Sequence, residues 1–161
     1  MSGAVAPRPQ DAADPSGPVR VLAGPALSAA LRIGLGLLMA YAGAMKLLEP
    51  PATFAEEIGN YRLLPNLAPL AALTLPAIEV LAGLALLLLR GGWRRGAALL
   101  NLGLLLVFTA AVASARARGI DLRCGCFGGD SGPVTNLTVV RDLALSAWAA
   151  VVLWQAQGSV R

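Results

Sequence analysis

The chain has 161 residues, 57% of them hydrophobic and only 14% charged, and its mean hydropathy of +0.67 excludes an ordinary soluble domain with a charged surface. It contains no histidine, which excludes His-ligated zinc, common haem ligation and His-based catalytic triads. The net charge of +4 does not indicate a nucleic-acid partner, because the arginines lie between and beside apolar segments, where they suit the headgroups of a lipid bilayer.

The sequence divides into two predicted units. Residues 1–25 are rich in Pro, Gly, Ala and Asp and lack apolar periodicity, which predicts a disordered N-terminal tail. Residues 26–157 contain four apolar runs, each able to cross a hydrocarbon core as a helix of about 20 residues. The runs extend from Leu27 to Leu48, Leu67 to Leu89, Gly96 to Ala115 and Leu137 to Gln155. The predicted fold class is therefore all-α, an integral membrane four-helix bundle.

The first run also allows a second interpretation, a cleaved signal peptide, since residues 40–42 (Ala-Tyr-Ala) resemble a cleavage site. However, the run continues past this site to Leu48. Small residues recur at Gly36, Ala40 and Ala44, a spacing typical of a helix packed closely on another helix. We therefore expect a membrane span.

A short interfacial helix is predicted between the first two spans, within residues 50–65. Thr53 and Glu56 have the spacing of a capping box. The apolar residues of this segment fall on one helical face: Phe54, Ile58 and Tyr61. Four aromatic residues are interpreted as anchors at the membrane surface: Tyr61, Trp93, Trp148 and Trp154.

The orientation is predicted from the second connection. Residues 90–95 contain three arginines and no acid, and short basic connections stay in the cytoplasm. Both termini are then cytoplasmic in an inner, cytoplasmic membrane, and the first and third connections face outward. Arg116, Arg118 and Arg123 on the outer side oppose this orientation.

Two charged residues inside the spans are expected to form an intramembrane pair. A lone carboxylate such as Glu79 costs about 2.5 to 3.5 kcal/mol to insert, so it should face the bundle and find a partner. Arg32 is the expected partner, at a depth that differs by ~9 Å of helix rise. A purely structural pair and a functional one are equally compatible with this pattern. Asn101 is expected to make an interhelical hydrogen bond.

A second polar group is predicted at the outer ends of the spans. Lys46 ends the first span, and Arg141 and Asp142 begin the fourth. They could form a polar cup beneath the third connection. In the alternative interpretation, Lys46 and Arg141 only extend to lipid headgroups.

The third connection contains both cysteines of the chain, Cys124 and Cys126. Side chains at i and i+2 point to the same face but cannot form a disulfide without a tight turn, which Gly125 permits. The resulting ring would be strained, and strained, exposed disulfides are the labile ones. Arg123, Arg141 and the positive N-terminal end of the fourth helix, near Thr135 or Asn136, would stabilise thiolates.

Three interpretations of this cysteine pair remain open. It can be a redox-active pair, a static structural disulfide or part of a metal site. Two thiolates without histidine supply only half of a usual zinc shell, so no metal site is assigned.

Taken together, these residues resemble the MauE family of methylamine utilisation proteins and, more distantly, DoxX-like membrane proteins. The most specific element is Cys124-x-Cys126-Phe127-Gly128. The other matching positions are Arg32, Gly34, Gly36, Ala42, Gly43, Lys46, Tyr61, Leu64, Pro65, Pro76, Glu79, Gly83, Arg141 and Asp142. The resemblance implies a redox-associated, four-helix membrane protein that helps methylamine dehydrogenase mature alongside a thioredoxin-like partner. It does not imply methylamine as a substrate of this chain.

The leading functional hypothesis is a membrane thiol-disulfide relay through Cys124 and Cys126, a component of a thiol-disulfide oxidoreductase system. By analogy with other four-helix disulfide enzymes, a quinone in the bundle could be the second redox partner. One alternative is a non-enzymatic assembly factor whose disulfide only stiffens the connection. Another is a small transporter with Glu79 and Arg32 in a midplane site.

Overall fold

A computed structural model describes residues 24–63, 66–120 and 133–158. The predicted tail, apart from its last two residues, lies outside the described residues. So does the segment from Arg123 to Gly128, which contains Cys124, Gly125, Cys126 and Phe127. The predictions for these positions therefore stay predictions.

The regular elements in these ranges are five helices: α1 (Pro25–Leu47), α2 (Pro51–Asn60), α3 (Ala68–Leu88), α4 (Gly91–Ala117) and α5 (Asn136–Gly158). Four of them, α1, α3, α4 and α5, are long and apolar enough to cross a membrane. The predicted all-α fold is confirmed, and the protein is a multi-pass membrane protein. The short helix expected after the first span is α2.

The helix boundaries follow local chemistry. Proline occupies the first turn of α1, α2 and α3, where its missing N–H and fixed φ cost nothing. After α4, Gly119 adopts a φ of 66°, which ends the helix. At the start of α5, the Thr135 hydroxyl accepts a hydrogen bond from the Thr138 backbone N–H at 3.3 Å. The predicted capping box is wrong, because α2 begins at Pro51 and Thr53 lies within its first turn.

The closest helix pair is α1 with α3, which run antiparallel. A Cβ added to Gly83 would lie 2.6 Å from the backbone nitrogen of Ala40 and the carbonyl oxygen of Gly36. One added to Gly43 would lie 2.7 Å from the carbonyl oxygen of Pro76. The predicted close packing is therefore present. Its third member, however, is Gly43 rather than Ala44, which is exposed.

The other helices complete the bundle around α1 and α3. The main further contacts join α4 to α5, α3 to α4, α2 to α3 and α1 to α5. Asn101 of α4 donates to the carbonyl oxygen of Ala82 in α3 at 2.9 Å, which confirms the predicted interhelical hydrogen bond. The prediction that Trp148 is an anchor at the membrane surface is wrong. Trp148 donates to the carbonyl oxygen of Leu31 at 3.1 Å and packs against Gly34.

The bundle has two distinct ends. The α2 end carries α2, the last turns of α1 and α4, and the first turns of α3 and α5. The opposite end carries the tight connection from α3 to α4, which consists of Leu89 and Arg90. The basic segment 90–95, predicted as a connection, mostly forms the first turn of α4.

Candidate functional site

A buried ion pair joins α1 to α3 on the α2 side of the bundle. Lys46 and Glu79 are 5% and 0% exposed. The Lys46 ammonium donates to both carboxylate oxygens of Glu79, at 2.6 Å to Oε1 and 2.7 Å to Oε2. Each charge is thus neutralised by a partner at the distance where burial of a pair is tolerated.

The expected pairing of Arg32 with Glu79 is wrong. The guanidinium of Arg32 donates from Nη1 to the carbonyl oxygens of Leu86 and Leu87, at 2.9 and 3.0 Å. Gly43 lies opposite the turn of α3 that holds Glu79, and Arg32 is about three helical turns away, or ~16 Å. Lys46 is one turn from Gly43 and reaches the carboxylate.

Two aromatic rings enclose the Lys46 ammonium. The centroid of Phe108, on α4, lies 4.9 Å from Nζ, and that of Phe54, on α2, lies 5.9 Å away. Both distances suit a cation–π interaction, which strengthens when water is excluded. The buried Phe54 is also the residue through which α2 reaches the bundle interior. The short helix therefore covers the ion pair.

Asp142 brings a second carboxylate to this site from α5. It is 4% exposed, and its Oδ1 accepts two hydrogen bonds from Arg141, at 3.0 Å from Nε and 2.8 Å from Nη2. Its Oδ2 is buried and has no hydrogen-bond partner in the part of the chain that the structure describes.

Lys46, Glu79 and Asp142 line one cavity of about 30 Å³. The rest of its wall is apolar: Leu38, Met39, Ala42, Leu105, Phe108 and Leu145. A cavity of this size holds about one water molecule. We call this cavity and its three charged residues the polar cavity.

Two hydroxyl groups extend the polar region between α4 and α5. Thr109 and Ser146 are buried, with their oxygens 3.0 Å apart, and Thr109 lies 3.3 Å from the carbonyl oxygen of Asp142. Sequence reasoning missed both residues. The available signal was a hydroxyl residue well inside an apolar run, comparable to the amide of Asn101 in the third run.

The ends of the segment that carries the cysteines are fixed at the α2 end. Arg116, near the end of α4, donates from Nε to Asn136 Oδ1 at the start of α5, at 2.9 Å. Arg118 donates to the carbonyl oxygen of Tyr61 at 2.6 Å. A cleft of about 480 Å³ lies between the end of α4 and the start of α5.

The profile of the family described as methylamine utilisation protein MauE matches residues 24–155, which is most of the chain. The chain belongs to the MauE family. No curated protein and no solved structure matches it.

This MauE-family chain brings together three of the residues singled out by its sequence, namely Lys46, Glu79 and Asp142, which share the polar cavity. Arg141 lies at its edge, bound to Asp142. Arg32 lies elsewhere, near the opposite end. The cysteine residues of the MauE-family motif are outside the described residues.

Tyr61 of the MauE-family chain gives a pH-dependent signal at the edge of this site. Burial raises the pKa of Tyr61 to about 12; the Asp142 and Glu57 carboxylates add to the shift, and Arg141 opposes it. In a Tyr41→Phe variant we expect tyrosinate absorbance with a midpoint near pH 12 when folded and near pH 10 when denatured. Because the folded pKa is the higher one, the stability due to the neutral phenol is complete below pH 10 and falls as the pH rises through 12. A folded midpoint near 10 would contradict this placement.

Proposed function

We propose that the protein is a membrane thiol-disulfide relay in which Cys124 and Cys126 exchange electrons with a thioredoxin-like protein, supporting maturation of an extracytoplasmic enzyme. Membership of the MauE family supports a link to amine utilisation pathways. The observation that carries the proposal is the polar cavity. It contains proton-exchanging groups at the end of the bundle where the chain enters and leaves the segment that carries the cysteines.

The proposed exchange needs only the two cysteines and the partner's disulfide. The Cys124 thiolate attacks one partner sulfur, an intermolecular S–S bond forms, and the second partner sulfur leaves as a thiolate. Cys126 then attacks the sulfur of Cys124, closes the intramolecular disulfide and releases the first partner sulfur. Two electrons pass to the partner, and two protons leave the cysteine thiols. The same steps run backward oxidise a partner dithiol.

The polar cavity is the proposed exchange site for these protons. Asp142 lies about six residues into α5, ~9 Å below the helix start. Its buried Oδ2 has no hydrogen-bond partner among the described residues, so it can accept a proton without breaking a bond. Lys46 and Glu79 continue the path into the bundle. Turnover needs a second redox partner, and a quinone held in the bundle is the class that we propose.

The proposed orientation places the α2 end outside the cytoplasmic membrane and both termini in the cytoplasm. The described acidic residues other than Glu79 all lie at the α2 end: Glu49, Glu56, Glu57 and Asp142. Arg90, Arg94 and Arg95 lie at the opposite end, close to the spans, where basic residues favour the cytoplasmic side. Several basic residues of the α2 end have acidic or structural partners there.

The relay is tested by trapping its mixed disulfide. In a Cys126→Ser variant, Cys124 should accumulate as a mixed disulfide with a thioredoxin-like protein, detected as a reducible band and identified by mass spectrometry. The Cys124→Ser/Cys126→Ser variant is the control and should give no band. For the wild type, a reduction potential well above about −300 mV fits a working couple. A lower value, with no trapped partner, would sink the proposal.

The assembly-factor alternative is kept because the cleft of about 480 Å³ offers a surface where a partner could be held without chemistry. In that case the Cys124→Ser/Cys126→Ser variant keeps full maturation activity at matched expression. The transporter alternative depended on a midplane pair of Arg32 and Glu79. We do not propose it, because these two residues do not pair.

A further inference from the structure

At the end of the bundle opposite α2, the charged residues that the structure describes are all basic. Arg32, Arg90, Arg94 and Arg95 are its basic residues in the described ranges, and no acidic residue of those ranges lies beside them. Two ion pairs, Lys46 with Glu79 and Arg141 with Asp142, lie on the α2 side. No described acidic residue therefore balances the charge of these arginines.

Two of these arginines converge on one small crevice. Arg32 from α1 and Arg94 from α4 line it together with Ser28 and Gln155, and its volume is about 10 Å³. The position of Arg32 is explained by the fold, because it donates to the last carbonyl groups of α3, where a cation also suits the helix dipole. Nothing in the fold explains Arg94 in the same way.

The position of Arg94 is energetically unfavourable for two reasons. Arg94 lies in the first turn of α4, where the helix dipole disfavours a cation, and that turn contains no acidic residue. Its Nε is buried and has no hydrogen-bond partner among residues 24–63, 66–120 and 133–158. A buried donor without an acceptor loses the hydrogen bond that water would supply. One bound anion would remove both penalties.

We propose that an oxyanion of the phosphate class binds between Arg94 and Arg32, with one oxygen in the crevice accepting a hydrogen bond from Arg94 Nε. The crevice has room for a single oxygen, about the size of one water molecule, so the rest of the ligand lies outside it. Ser28 can donate its hydroxyl to the same group. The phosphate can belong to a lipid headgroup or be free in solution.

The level of the crevice fits a lipid phosphate. Trp93, next to Arg94, is 79% exposed on the outside of the bundle, and tryptophan is enriched at the headgroup level of bilayers. The crevice is lined by the first two to three turns of α1, the first turn of α4 and the last two turns of α5, near the ends of these spans.

The test compares Arg94→Gln with Arg95→Gln in the purified full-length protein. Both remove one charge from the same turn of α4, but Arg95 is exposed and does not line the crevice. Native mass spectrometry of the detergent-solubilised protein would measure binding of phosphatidylglycerol and of phosphatidylcholine. Thermal unfolding would measure the effect of inorganic phosphate against chloride at equal ionic strength.

We expect Arg94→Gln to weaken phospholipid binding roughly tenfold, the loss of one charge-assisted hydrogen bond, and Arg95→Gln to change it little. Stabilisation by inorganic phosphate that depends on Arg94 would support the site and identify its ligand as free phosphate. Binding of phosphatidylglycerol or phosphatidylcholine that Arg94→Gln weakens more than Arg95→Gln, without a phosphate effect, would support it with lipid as the source. Equal effects of the two substitutions in both measurements would overturn the proposal. These readouts do not involve the cysteines.

Discussion

Replacing Lys46 with methionine is expected to lower the free energy of unfolding by about 3–5 kcal/mol. The substitution leaves the Glu79 carboxylate, which is fully buried, without its partner, and an uncompensated buried charge is far more costly than a buried pair. Methionine keeps most of the side-chain volume, so the effect reports the charge. Unfolding by titration with SDS in mixed micelles would measure it.

Two further variants separate charge from packing at this pair. Lys46→Met combined with Glu79→Leu should recover most of the lost stability, because an apolar pair of similar volume is often as stable as a buried ion pair. Glu56→Gln, at an exposed position of α2, should change stability by less than about 0.5 kcal/mol. If Lys46→Met were as stable as the wild type, Glu79 would not depend on Lys46. A stable double variant without redox activity would support the proton-exchange role.

Replacing Gly83 with alanine is expected to cost about 3 kcal/mol. The added Cβ would lie 2.6 Å from backbone atoms of Ala40 and Gly36, which cannot rotate away, so α1 and α3 must separate. Glu79 is one turn from Gly83, and this separation would also stretch its contact with Lys46. Unfolding in mixed micelles measures the effect.

The matched control is Gly103→Ala. Gly103 is an exposed glycine in α4, and a Cβ there has no neighbour within 4 Å. Alanine is the better helix former, so this variant should be neutral or more stable by up to about 1 kcal/mol. Equal destabilisation by the two substitutions would mean that the contact between α1 and α3 is not as close as described.

The sequence predicted the helices well because membrane spans depend on length and apolar composition alone. It also predicted that Glu79 must be buried with a cation, because the cost of a lone carboxylate in lipid does not depend on the neighbours. The identity of the cation was wrong. It depends on the register between α1 and α3, which is set by the contact of Gly43 with Pro76. The depth of each residue, counted from the end of its predicted span, is not accurate enough to give that register.

Other differences have similar physical causes. The sequence pattern does not distinguish Ala44 from Gly43, because residues spaced i, i+4, i+8 and residues spaced i, i+4, i+7 both lie near one helical face. Only packing distinguishes them. Gly91 and Gly92 suggested a connection, yet α4 begins there, since glycine costs little in a first turn whose N–H groups have no intrahelical acceptor. The sequence predicted that Lys46 and Asp142 lie at the same end of the bundle. It did not predict that Glu79 joins them in the polar cavity, because that depends on the register between α1 and α3.

The ion pair between α1 and α3 also constrains how the protein is made. Glu79 follows Lys46 by 33 residues, so α1 is synthesised before the carboxylate that neutralises its lysine exists. A connection of two residues joins α3 to α4, which therefore enter the bilayer as a hairpin. Until that hairpin arrives, Lys46 must extend its ammonium to the lipid surface. The salt bridge thus closes only on integration of the second span, which makes it a marker for that step of insertion.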